Sequence, residues 1–287
     1  MTRFLTVGAA QMGPIQRSHT RHDVVERMLA QLREAHRMGC ELVVFPELTL
    51  TTFFPRWWMP DQAEIDSFFE REMPSNETAP LFNEARRLGL GMSFGYAELV
   101  NEGGRVRHFN TSIIVEKDGR IAGKYRKVHP AALLSLEKIY FRGGSSFPVF
   151  RVGDWTIGFS ICYDNLFPES CRCLALNGAE LIIAPYATPI ATPWENFLTT
   201  RALENGVFLA ACNHVGREGE WQMSGKSLVI DPLGEILATA NDASEQILVT
   251  AIERERVIQA RRRFPLFRDR RPDAYRAICR ATEDLHR

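Results

Sequence analysis

Residues 156–169 read TIGFSICYDNLFPE, and both the fold and the chemistry of the chain are decided there. An apolar run from Ile157 to Ile161 stops at Cys162; polar residues follow, then Pro168-Glu169, a common way to open a helix. The pattern predicts a strand that ends at Cys162 just before a helix. A side chain on such a turn is lifted clear of the sheet, and the N–H groups after it can hold an oxyanion. Cys162 is therefore the candidate nucleophile. Taken alone, a cysteine with apolar neighbours is more often a small core hydrophobe, so the assignment rests on the rest of the chain.

Outward from this stretch, residues 149–152 read as a strand, 170–177 as a helix stopped by Gly178, and 181–185 as a buried strand. A helix over 193–206, a strand over 207–213, a hairpin of 227–231 with 235–238, and a last strand over 246–252 follow. Toward the N-terminus, 5–10 is a strand. Over 23–38, Val24, Val25, Met28, Leu29, Leu32 and Ala35 recur at three- and four-residue steps, an amphipathic helix stopped by Gly39. The buried strand 42–45 breaks at Pro46-Glu47. A helix over 79–88, a strand over 91–99 and a hairpin of 110–115 with 121–125 lead to Lys127. Strand and helix alternate over about twelve strands with no linker or repeat, which predicts one α/β domain over 1–262 and a tail over 263–287.

Composition narrows the function. Of 287 residues, 35 are Lys or Arg and 35 Asp or Glu, a balance that argues against an electrostatic grip on nucleic acid or an anionic membrane and favours a small-molecule partner. Hydrophobic content of 45% and charged content of 24% are those of a globular protein, and no apolar run approaches the roughly 20 residues that span a bilayer. The start, MTRFLTVGAAQMGP, has too short an apolar segment for a secretory signal and reads as a core strand. Six cysteines without a C-x-x-C pair, and histidines without ligand spacing, point to no disulfide scaffold, no redox dithiol and no metal; the expected location is cytoplasmic. The arginine-rich ARRRFPLFRDRRPDAYR interleaves aromatic, proline and acidic residues and reads as an interface-forming tail.

Glu47 and Lys127, like Cys162, each stand where an apolar strand has just ended, and the ends of parallel strands converge on one crevice. Chemically the three are complementary. Cys162 attacks a carbonyl carbon, Glu47 takes the thiol proton and returns it to a leaving amine, and Lys127 stabilises the developing negative charge. A free thiol is only about a few per cent ionised at neutral pH, so a nearby cation and base both help. Singly, Glu47 would be a loop carboxylate and Lys127 a surface charge. The aromatic run TTFFPRWW at 51–58 reads equally as pocket wall or as packing under a loop.

Three segments in order, FPEL at 45–48, KYRKVH at 124–129 and ICYDNLFPE at 161–169, resemble the signatures of the nitrilase, or carbon–nitrogen hydrolase, superfamily. The likeness runs from VGAAQ at 7–11 through RALEN at 201–205 to DPLGEI at 231–236. It implies a four-layer αββα sandwich, a Glu47–Lys127–Cys162 triad with Glu137 as a second glutamate beside it, an oxyanion held by Lys127 and the N–H of Tyr163, no cofactor, and assembly into dimers or tetramers. Within the superfamily, residues 47–74 and 95–100 are most similar to N-carbamoyl-D-amino-acid hydrolases. That branch holds its substrate carboxylate with arginines after the cysteine, where this chain has Asn165 and Leu166. Phe53, Phe54, Trp57, Asn165, Leu166, Thr188 and Trp194 are the expected substrate contacts; Leu166, Phe167, Phe53, Phe54, Trp57 and Trp194 suggest an apolar pocket for a neutral amide, with Arg201 as the one replacement cation to consider. An amidase, a carbamoylase and, from another class, a non-catalytic interaction module with the same fold all remain open at this stage.

Overall fold

The computed structural model of the protein describes residues 4–190 and 193–280; residues 1–3 of the expected first segment and 281–287 of the expected tail lie outside the described residues. The first half contains β1 (Phe4–Gln11), α1 (Arg21–Arg37), β2 (Leu42–Val44), α2 (Gln62–Asp66), β3 (Phe69–Glu70), α3 (Ala79–Leu88), β4 (Gly91–Glu102), β5 (Arg105–Val115) and β6 (Ile121–Arg126). After α4 (Glu137–Tyr140) come β7 (Val149–Val152), β8 (Trp155–Phe159), α5 (Pro168–Leu176), β9 (Leu181–Pro185), α6 (Trp194–Asn205) and β10 (Phe208–Cys212). The chain closes with β11 (Val215–Glu218), β12 (Trp221–Ser224), β13 (Leu228–Ile230), β14 (Ile236–Thr239), β15 (Gln246–Glu253) and α7 (Arg254–Arg263).

One sheet runs β15-β1-β2-β4-β5-β6, with β3 also paired to β4; the other runs β14-β13-β10-β9-β8-β7. Each has a parallel centre, β1-β2-β4 and β8-β9-β10, because helices connect those strands; the flanks are antiparallel, through hairpins at β4-β5-β6, β7-β8 and β13-β14 and through the return of β15 to β1 and of β13 to β10. The faces turned toward each other carry Val7, Ala9, Val44, Ile114 and Ile252 from the first sheet and Ile157, Phe159, Ile183, Phe208 and Val229 from the second, packed as one core. Helices α1 and α3 bury Val25, Met28, Leu32, Leu81 and Ala85 on the outside of the first sheet. Helices α5 and α6 bury Leu174, Leu198 and Ala202 outside the second. The result is the expected helix–sheet–sheet–helix sandwich.

Strand direction sets where chemistry can occur. Two antiparallel steps from β4 to β6 return β6 to the direction of β2, so both strands end at the same edge of the first sheet. A parallel bridge between Met12, just past β1, and His214, just past β10, brings the carboxyl edge of the second sheet to the same end of the molecule.

One expectation needs correction, and several elements, α2 and β3 among them, stand where the sequence predicts none. The strand before Cys162 ends at Phe159, and Cys162–Leu166 forms a 3-10 turn ahead of α5. The ribbon β11–β12 was not expected, nor was α7, which lies where the arginine-rich segment began; the tail then continues as short turns, with Phe267 lying under Arg172 and Arg261. Among the described residues no helix is long and apolar enough to cross a membrane.

Candidate active site

Glu47 follows β2, Lys127 follows β6 and Cys162 follows β8, and the shared edge brings them together. The Lys127 ammonium is fully buried and donates to Glu47 Oε1 at 2.7 Å and to Glu137 Oε2 at 2.7 Å. Two further donors fix Glu47: Asn110 Nδ2 donates to Oε1 at 2.7 Å and the Ala187 N–H to Oε2 at 3.1 Å, so Oε1 carries two bonds and Oε2 one. His214 Nε2 lies 3.1 Å from the Glu47 carbonyl oxygen. Glu137, on the first turn of α4, also accepts from the Ala131 N–H at 3.2 Å.

The backbone here is held in costly conformations. Cys162 has φ +45° and Leu48, next to Glu47, φ +49°, both in the left-handed region that non-glycine residues avoid. The Cys162 turn is secured by Asp164, a buried carboxylate that accepts from the Ile161 N–H at 3.1 Å, the Tyr125 hydroxyl at 2.7 Å and the His129 N–H at 3.0 Å, with His129 Nδ1 at 2.8 Å. Asn165 Nδ2 adds bonds to the Ser160 and Cys162 carbonyls at 2.9 and 3.0 Å.

Electrostatics follow from burial. Burial disfavours a charged lysine, yet Glu137 and Glu47 outweigh it and hold the Lys127 pKa well above its ordinary value. Glu137 is pushed up to about 7, by burial first and by Glu47, against the pull of Lys127. Burial and the Glu47 carboxylate raise the Cys162 thiol well above the usual cysteine range, and Lys127 only partly offsets them. The direction favours the thiol over the thiolate, so attack by this sulfur needs a base within reach.

Cys162 opens on a cavity of about 290 Å³. Its walls include Phe53, Tyr163, Leu166, Thr188, Trp194, Phe197 and Trp221, with Leu133, Leu134 and Ile190 among the more exposed members. Of the expected contacts, Phe53, Leu166, Thr188 and Trp194 line it. Phe54 does not: it is fully buried, packed on Phe68, Phe69, Tyr140 and Phe141. Trp57 lies outside the walls beneath the Arg56 guanidinium, and Asn165 is used up in holding the turn. Arg201 is structural, its guanidinium bonded to the Asn165 and Leu166 carbonyls and to Glu204. Sequence reading missed Phe197, whose place on α6 beside the cavity depends on how that helix packs, and Trp221, on the unexpected ribbon.

A N-carbamoylputrescine amidase from Oryza sativa subsp. japonica is 33% identical over 297 residues, covering 96% of this chain and 94% of its own length. A nitrilase from Pyrococcus abyssi is 34% identical over 283 residues, covering 95% of this chain and 99% of its own. The crystal structure of a carbon-nitrogen hydrolase from Helicobacter pylori G27 matches with a TM-score of 0.86 at 28% identity, over 97% of this chain and 99% of that one. The family profile of the carbon-nitrogen hydrolases matches residues 6–262, nearly the whole sequence. The chain belongs to the carbon-nitrogen hydrolase family, within the nitrilase superfamily, and is a carbon–nitrogen hydrolase enzyme.

Proposed function

We propose that this enzyme hydrolyses the C–N bond of a small, neutral amide through a thioester on Cys162. The observation that carries the reading is the Lys127 ammonium clamped between Glu47 and Glu137 next to a cysteine whose cavity has, among its described lining residues, no charged side chain but Glu137. Glu47 takes the proton from the Cys162 thiol as sulfur attacks the carbonyl carbon, since a thiol held neutral needs a base in the same step. The oxyanion is met by the Lys127 ammonium and the Tyr163 N–H. Collapse breaks the C–N bond, and the proton on Glu47 leaves with the amine. Glu47 then deprotonates a water that attacks the thioester, releasing the acid and restoring the thiol.

The walls support a neutral acyl group. A substrate carboxylate bound there without a cation would lose charge-assisted bonds of about 1.5–3 kcal/mol each. The alternative, a ureido substrate such as an N-carbamoyl-D-amino acid, draws support from relatives named N-carbamoylputrescine amidase. Assembly as a homodimer or homotetramer belongs to the same proposal, supported by exposed Phe264, Leu266, Tyr275 and Ile278 in the tail.

The test is ammonia release from neutral carboxamides and from N-carbamoyl-D-amino acids with matching side chains, with Cys162→Ala as blank. We expect neutral amides to be preferred, Cys162→Ala to fold and be inactive, and mass spectrometry to find an acyl adduct on Cys162. Preference for the carbamoyl acids would overturn the neutral-amide reading; turnover retained by Cys162→Ala would overturn the nucleophile.

A further inference from the structure

The ribbon β11–β12 pairs with neither main sheet, yet Trp221 at the start of β12 forms part of the wall around Cys162. Four paired positions, Val215 with Ser224 through Glu218 with Trp221, make a ribbon too short to hold itself in place. Its ends are tied by the Val215 N–H to the Met12 carbonyl at 2.8 Å and the Ser224 N–H to the Thr188 carbonyl at 3.1 Å, and Glu218 anchors the tip. Its carboxylate is fully buried; Oε1 accepts from the Thr52 hydroxyl at 2.8 Å and the Phe53 N–H at 2.6 Å, and Oε2 from the Ile15 N–H at 3.1 Å. Arg56 Nη1 lies 3.1 Å from Oε1, and the guanidinium stacks between Trp57 at 4.1 Å and Trp221 at 5.8 Å. Phe53, whose N–H ends on Glu218, in turn stacks on Trp221 with ring centres 5.5 Å apart.

Glu218 therefore does not itself line the cavity but grips both residues of one wall, Phe53 through its backbone and Trp221 through the paired strand and the Arg56 stack. A buried ion pair is an expensive way to pin a hairpin that apolar side chains could pin, and its best-attested use is to specify position. We propose that the ribbon is the acyl-group specificity element of this enzyme: Trp221 stacked on Phe53 limits the length of the acyl group, and Glu218 with Arg56 is the positioning pair that holds this wall closed. The proposal rests on the amide reading above.

The test is kcat/KM for acetamide, butyramide, hexanamide and phenylacetamide, by ammonia release, in the wild type, Trp221→Ala, Trp221→Phe, Glu218→Gln and the Glu218→Gln/Trp221→Ala double variant. Trp221→Ala is expected to raise the hexanamide-to-butyramide ratio by about tenfold or more, the discrimination that a methylene or two carries in an apolar pocket. Trp221→Phe should move it less and guards against loss of folding. Glu218→Gln should move it the same way without touching substrate, and the double variant should match Trp221→Ala, because both changes open one wall. Should Glu218→Gln not fold, Thr52→Val, which removes one of its donors, replaces it. Turnover that depends on Cys162 with an unmoved ratio in Trp221→Ala, or shifts from the two sites that simply add, would overturn the proposal. Absence of any Cys162-dependent release from the four amides would overturn the amide reading together with it.

Discussion

At the residue scale, the site is a problem of three buried charges and one neutral thiol. Lys127 cannot neutralise Glu47 and Glu137 together, and burial beside that excess of negative charge lifts Glu137 to about 7. Below that pH Glu137 is a neutral partner for Lys127; above it, a carboxylate. The enzyme's kcat/KM should therefore fall as pH drops through about 7. Glu137→Gln should flatten this limb and lower the plateau by about 10- to 100-fold, the worth of one charge-assisted hydrogen bond. An unchanged acid limb in Glu137→Gln would assign the titration to another group. The four catalytic candidates were legible in the sequence because each follows a strand end or matches a signature. Asn110 and Ala187, which complete the bonding of Glu47, were not. One is an ordinary strand residue and the other acts through a backbone N–H that every residue owns.

At the scale of elements, turns determine whether those residues meet. The turn after β2 carries Glu47 across the face of β4, where it passes so close that a Cβ on Gly95 would lie 2.8 Å from the Leu48 nitrogen and 3.2 Å from the Glu47 Cα. Those contacts are backbone and cannot rotate away. Gly95→Ala should cost about 1–3 kcal/mol in stability and, by shifting Glu47, lower kcat by at least about tenfold. Urea unfolding and steady-state kinetics on one preparation check it; normal kcat in a destabilised variant would mean the turn yields without moving the carboxylate. Periodicity revealed the long elements, α1, α3 and the central strands, because each buries one complete face. It failed for α7, where only Val257 and Ala260 are buried, and for the ribbon, whose residues 215–224 are interrupted by Gly216, Gly219 and charged side chains. Elements fixed by a buried ion pair leave no hydrophobic period to read.

At the scale of the whole molecule, the candidate active site lies on the seam between the sheets: Glu47 and Lys127 belong to one, Cys162 to the other. Apolar packing joins the two faces but tolerates small slips, whereas the chemistry needs sulfur, carboxylate and ammonium aligned to about half an ångström. Asp164 supplies a directional link, beside the bonds that Ala187 and His214 make to Glu47. Its carboxylate, on the Cys162 turn, takes the Tyr125 hydroxyl from β6 and both the N–H and the ring of His129, two residues past Lys127. Asp164→Ala would leave the buried Tyr125 hydroxyl and the partly buried His129 without their acceptor and should destabilise the protein by about 3 kcal/mol, with a fall in kcat at unchanged KM. Asp164→Asn, which keeps the shape and half of the accepting capacity, should fall between. Unfolding in urea, followed by far-UV circular dichroism and by alkylation of Cys162, separates the two effects. If both variants unfold at the wild-type midpoint and alkylate at the wild-type rate, the sheets are aligned without Asp164, which is then only a cap on its own turn.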